Sequence, residues 1–167
     1  MNAKTVPISI ILPILLTLTP LTALSEGVEG AKTNANIVVR SAATWITLSE
    51  SKIVIPSGQT WHCIVSGSAD AINSASNNSL DNQYRFTLSL DTVNPGLDGP
   101  CERSLEFDNN LAVDDVGIED VNSTCPFKNI ASGTHIFRWQ ARKVSSNDFN
   151  LTVPDNSHTV MCSRNLQ

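Results

Sequence analysis

The chain has 167 residues, 11 Lys and Arg against 16 Asp and Glu, a net charge of -5 and 41% hydrophobic residues, which is the size and composition of one ordinary folded domain. Ser, Thr and Asn together number 49 while Gly and Pro number 8 each, so collagen-like and Pro/Gly-rich disordered classes are excluded. There is no basic stripe to neutralise phosphates, so nucleic acid is not an expected partner, and an anionic membrane surface is equally unsuited.

Lys4 is the only charge in residues 1–25; an apolar run from Ile8 to Leu16 follows, and then Ala23-Leu24-Ser25. A basic start, a short apolar stretch and small residues at its end make a secretory signal, with cleavage after Ser25. Pro7, Pro13 and Pro20 cut the run well short of the ~20 apolar residues that a span needs, so no membrane span is expected in the mature chain. No Cys follows the run, which argues against a bacterial lipid anchor. The expected organisation is a signal peptide over 1–25, a flexible leader over 26–36 that shows no apolar period, and a folded domain over 37–167, secreted or periplasmic.

Trp45-Ile46-Thr47-Leu48, Ile53-Val54-Ile55 and Trp61-His62-Cys63-Ile64-Val65 read as strands, the last two joined by the turn Pro56-Ser57-Gly58-Gln59. Residues 66–82 read as a long polar connection. From Tyr84 to Asp91 the apolar residues take every second place, as in a strand with one face on a core and one in water. Turn chemistry at Asn94-Pro95-Gly96 and Asp98-Gly99-Pro100 leads to a strand holding Arg103, Leu105 and Phe107. Residues 108–124 are acidic and too irregular to assign. After the turn Ala131-Ser132-Gly133, His135, Phe137, Trp139 and Ala141 share one face, and Arg138, Gln140 and Arg142 share a polar one read as solvated. Asn150 to Val153 and His158 to Cys162 complete the set, with Pro154-Asp155-Asn156-Ser157 as a turn. About eight or nine short strands with no helical period predict an all-β antiparallel sandwich, jelly-roll-like.

All four cysteines, Cys63, Cys101, Cys125 and Cys162, lie in the exported part, and an even number in an oxidising compartment reads as two disulfides, with three connectivities open. Strand parity points all four inward. The predicted pairs are Cys63 with Cys162 and Cys101 with Cys125, for which the chain-entropy argument gives roughly 4.7 and 3.5 kcal/mol. A zinc site is the competing explanation, but neither C-x-x-C nor H-x-x-x-H spacing is present.

The stretch Ser132-Gly133-Thr134-His135-Ile136-Phe137-Arg138-Trp139-Gln140-Ala141-Arg142, followed by a polar loop and Leu151-Thr152-Val153, resembles the last hairpin of certain bacterial secreted and phage-associated β-sandwich domains. Those resemble tumour-necrosis-factor-like jelly rolls in strand pattern. The resemblance spans residues 45–163, with 132–142 its distinctive part. It implies a fold and an extracellular address, and transfers no catalytic or ligand residue.

For chemistry, acidic and amide side chains crowd two loops: Asp91, Asn94 and Asp98, then Asp108, Asn109, Asn110, Asp114, Asp115, Glu119 and Asp120. Calcium suits such oxygens, and Asp114, Asp115 and Glu119 are the residues to hold a structural ion; solvated loops are made of the same residues, and no other cofactor is expected. His62 and His158 are placed on the wet face of their strands and His135 at a strand entrance, partly buried and hydrogen-bonded. Any Ser-His-Asp set lacks a local signature such as G-x-S-x-G, so an enzyme is not expected. Trp61 and Trp139 point inward, which leaves Trp45 as the candidate for stacking on a sugar. Asn77, Asn122 and Asn150 begin glycosylation sequons. The function expected is a non-enzymatic binding or adhesion module that recognises a glycan or cell-surface partner through its loops. An oligomeric jelly-roll assembly protein, with homo-oligomer contacts, is the alternative; a hydrolase without a recognisable motif comes third.

Overall fold

The computed structural model describes residues 27–33, 35–73, 82–97, 99–107, 117–145 and 149–164. They form ten strands and no helix: β1 (Gly27–Thr33), β2 (Ile37–Val39), β3 (Ile46–Ile55), β4 (Trp61–Asn73), β5 (Asn82–Leu90), β6 (Glu102–Phe107), β7 (Gly117–Ile130), β8 (Gly133–Lys143), β9 (Leu151–Val153) and β10 (Asn156–Ser163). All pairings are antiparallel. One sheet has β4 at its centre, with β7 on one edge and β10 then β1 on the other; β9 and β2 lie further along that second edge. The other sheet runs β3-β8-β5-β6.

The short strands are continuations. Thr33 pairs with Asn156, then Ile37 with Val153, a slip of one residue that marks a bulge rather than a new strand. With β1 and β2 taken as one broken strand, and β9 and β10 as another, the sheet orders are first-eighth-third-sixth and second-seventh-fourth-fifth. That order is the eight-stranded jelly roll.

Period-two alternation supplies the core. Trp61, Cys63 and Val65 of β4 and Val160 and Cys162 of β10 face Ile53 and Ile55 of β3, Phe137, Trp139 and Ala141 of β8 and Tyr84, Phe86 and Leu88 of β5, all buried. Phe86 and Trp139 pack at 5.5 Å between centroids and Phe127 meets Phe137 edge-on at 5.4 Å. Burying one such ring contributes roughly 1.5–3 kcal/mol. Gly67 lies under the Trp139 indole, where a Cβ would stand 2.7 Å from Cδ2, so only glycine admits that ring.

Both predicted disulfides are present. Cys63 and Cys162 are register partners on β4 and β10, 4.1 Å apart at Cα. Cys101, just before β6, joins Cys125 of β7 at 5.4 Å and so ties the edge of one sheet to the other. The disulfides mark an oxidising environment. Among the described residues no helix is long and apolar enough to cross a membrane.

Three expectations are corrected and one unassigned stretch gains a strand. The leader over 26–36 is not loose from residue 27 on: Gly27–Thr33 is β1, which needs no apolar period because it is an edge strand held by its ladder to β10. The polar connection at 66–82 begins only after Asn73, because the inward residues Gly67, Ala69 and Ala71 of β4 are too small to give an apolar signal. Residues 117–124, left unassigned, belong to the long strand β7. Residues 154–157 do not reverse the chain, since β9 and β10 both run antiparallel to β4. Residues 1–26, with the signal and its cleavage point, lie outside the described residues.

Candidate functional site

The outer face of the β4-centred sheet is ordered in rows. Val28, Met161, Ile64 and Pro126 are register neighbours across β1, β10, β4 and β7 and form an apolar row, with Val28, Ile64 and Met161 exposed. The next row is Gly30, Thr159, Ser66 and Thr124, and the next Lys32, Ser157, Ser68 and Asn122. The last pairs Asp70 with Asp120, beside Asp155, whose carbonyl accepts the Asp70 N–H at 3.0 Å.

The two middle rows carry the chemistry of the face. The Ser66 and Thr124 hydroxyls bond at 3.0 Å and the Ser68 and Ser157 hydroxyls at 2.9 Å, so short side chains are held in fixed positions on a rigid sheet. Each hydroxyl keeps the capacity both to donate and to accept. Two shallow depressions of about 240 Å³ each open here, one over Ser66, Asn122, Thr124 and Thr159, the other between Lys32, Asp70 and Asp155. Desolvation, then the facing Asp120 carboxyl and, more weakly, the Asp155 charge raise Asp70 above the ordinary carboxylate value, against the pull of Lys32. The acidic row stands at the end where the strands flanking 74–81, 108–116 and 146–148 terminate, since Asn73 pairs with Gly117, Asn82 with Phe107 and Tyr84 with Lys143.

The outer face of the β3-β8-β5-β6 sheet is covered by its own chain. Gln140 Nε2 donates to Val93 O at 3.1 Å and its Oε1 accepts from Ser89 Oγ at 2.6 Å. Trp45 Nε1 donates to Pro95 O at 2.8 Å and the Arg142 guanidinium lies 5.5 Å over the Trp45 ring. These contacts strap the β5–β6 connection across the sheet, above a cavity of about 360 Å³ that Leu90, Leu97 and Phe127 help line. Gln140 is 0% exposed, which corrects the solvated ladder expected of Arg138, Gln140 and Arg142. Arg138 pairs with Glu50 at 3.3 Å, and Arg85 with Glu102.

Asp91 anchors the start of the strap in the left-handed region, φ 56, which Asp tolerates. Its N–H donates to Ile136 O, its Oδ1 accepts the Ile136 N–H, both at 2.8 Å, and its Oδ2 meets His135 Nδ1 at 2.7 Å. Burial works to raise its carboxyl, but the Ile136 N–H, the His135 imidazole and Arg138 outweigh that and hold it below the usual value.

Of the site residues predicted from sequence, Asp114 and Asp115 lie outside the described residues, and Glu119 is exposed near the start of β7. Among the described residues, His, Cys, Asp and Glu form no group of three or more suited to a metal ion. Trp45 is 6% exposed and covered as described. His135 is partly buried, with Nε2 2.9 Å from Ala131 O, as expected. His62 accepts from Asn129 N at 3.4 Å. The wet-face reading of His158 is corrected: it stands four residues from Cys162, an even step, so alternation turns it inward, where it is 2% exposed. Asn122 and Asn150 are exposed, and Asn77 is outside the described residues.

Sequence reasoning missed the hydroxyl rows. The signal was there: Ser66, Ser68 and Asp70 alternate with Gly67, Ala69 and Ala71, a strand pattern written in small residues. No protein-family model matches the chain, and no curated protein matches it.

Proposed function

We propose that the chain is an exported, non-enzymatic binding module that presents the outer face of its β4-centred sheet, with the acidic row at its end, to a hydroxyl-rich glycan on a surface. The observation that carries this is the pair of hydroxyl rows, Ser66, Thr124, Thr159 and Ser68, Ser157, Asn122, set between an apolar row and an acidic one. A sugar offers the complement: hydroxyls for the rows and a C–H face for Ile64 and Met161. Short side chains lose little rotamer freedom on binding, so their hydrogen bonds are not spent on ordering. Trp45, Trp61 and Trp139 are buried, so recognition rests on hydrogen bonding rather than on ring stacking.

Export rests on the signal in residues 1–25 and agrees with the oxidised cysteines. A relationship of residues 132–142 to secreted and phage-associated sandwich domains belongs to the same proposal. The non-enzymatic reading rests on the scatter of His62, His135 and His158, of which His135 has both ring nitrogens in contact with Asp91 and Ala131.

The test is a glycan array probed with the oxidised fragment 26–167, with and without chelator. Binding to a defined glycan class supports the proposal, and its loss with chelator adds a calcium ion at Asp114, Asp115 and Glu119. No binding, together with a defined oligomer in light scattering, favours the second reading: a self-assembling jelly roll that covers the exposed row Val28, Ile64 and Met161 with another copy.

A further inference from the structure

Three neighbouring side chains inside the sandwich keep polar atoms that bond to no protein group: Trp139 Nε1, His158 Nε2, and Asn156 Nδ2 and Oδ1. Their residues are 0%, 2% and 3% exposed respectively. They belong to one layer. The Trp139 ring rests on Gly67, which is the cross-strand partner of His158. Ser49, the β3 partner of Trp139, meets His158 Nδ1 at 2.8 Å and so closes the square between the sheets. Asn156 stands two residues before His158 on the same inward face of β10.

The energetics forbid leaving these atoms bare. A buried polar atom without a partner bears the full cost of its lost hydration, and four together weigh heavily against the narrow margin by which a domain is stable. No protein group bonds to these atoms, the three side chains themselves included, which leaves them open to a partner from solvent. Burial lowers His158 to about 4 against the pull of Glu50, so at neutral pH the ring carries no charge and calls for no counter-ion. The need is for a small neutral group that both donates and accepts.

We propose that this layer is a hydrated pocket in the jelly-roll core, holding ordered water that joins Trp139 to His158 and serves the Asn156 amide. The indole only donates, so its water must accept from Trp139 Nε1 and pass a hydrogen on. The neutral His158 ring has one nitrogen on Ser49 and offers the other to that water. The Asn156 amide presents a donor and an acceptor to a second water, and buried waters ordinarily make about three such bonds. The pocket lies directly beneath Ser157 and Thr159 of the outer face, since those residues alternate with His158 along β10.

Two measurements on the native, oxidised protein test this. In water-selective NMR on 15N-labelled protein, the Trp139 indole proton is expected to show a direct cross-peak to a long-lived water. Trp45 and Trp61 serve as internal controls, because their indole N–H groups donate to Pro95 O and Gln59 Oε1 at 2.8 Å each. In a high-resolution crystal structure, water is expected at about 2.7–3.2 Å from Trp139 Nε1 and from Asn156. A Trp139 indole without a water cross-peak, or a crystal structure in which these atoms are dry or bonded directly to protein, overturns the proposal.

Discussion

The two outer faces of the sandwich start from the same alternation and end differently. On the β3-β8-β5-β6 sheet the outward polar residues Ser89 and Gln140 are buried, because the β5–β6 connection is strapped over them by Val93 and Pro95. On the β4-centred sheet the outward Ser66 meets Thr124 and Ser68 meets Ser157, and these pairs line the open outer surface together with Thr159. The difference teaches that a polar side chain at an outward strand position is not thereby wet. What lies above it decides, and among the described residues nothing lies above the hydroxyl rows of the β4-centred face.

The largest way to break the open side is from beneath. Gly67→Val puts a side chain into the Trp139 indole, where a Cβ alone would stand 2.7 Å from Cδ2; a loss of about 3 kcal/mol or more is expected in urea unfolding. The second effect is pH dependence from the same layer. Burial holds His158 at about 4 against an ordinary 6.5, so between those values the unfolded chain binds a proton that the folded chain refuses. Stability is therefore full above about pH 6.5 and falls by about 3 kcal/mol as pH drops towards 4. A denaturant series across that range measures it, and His158→Leu is expected to flatten the slope.

The strapped side is sharpened by Gln140→Leu, which removes the bonds to Ser89 and Val93. The expected cost is about 2 kcal/mol, with faster amide exchange in residues 92–97 and little change in β10. The smallest effect belongs to the open face: Ser68→Ala loses one half-buried hydroxyl contact with Ser157 and is expected to change unfolding stability by no more than about 0.5 kcal/mol.

Much of this was legible in the sequence and some was not. Large inward side chains such as Phe86, Leu88, Phe137 and Trp139 announce their strands by alternation; the same parity turns four cysteines inward but leaves three pairings open, and the cross-strand register of Cys63 with Cys162 selects one. β1 was hidden because an edge strand with Val28, Glu29 and Gly30 exposed is held by backbone bonds to β10, which leave no mark on residue type. The second half of β4 was hidden because Gly67 must be small for Trp139, a constraint from the opposite sheet. Gln140 reads as solvated because alternation describes one strand and its neighbours, while the strap that buries it comes from residues 92–97, more than forty positions away. The hydroxyl face was legible only as one strand's pattern, Ser66, Ser68 and Asp70 alternating with small residues; as a surface it exists only when β1, β10, β4 and β7 stand side by side.

Which face meets the ligand is decided by a matched pair of variants on one glycan array. Ser66→Lys places a long cation in the middle of the open face, and Ser104→Lys places the same side chain on the exposed outer side of β6. The prediction is that both fold with unchanged stability, that Ser66→Lys loses the binding seen with the unaltered protein, and that Ser104→Lys keeps it. Equal binding by the two variants, or loss confined to Ser104→Lys, contradicts the assignment of the β4-centred face.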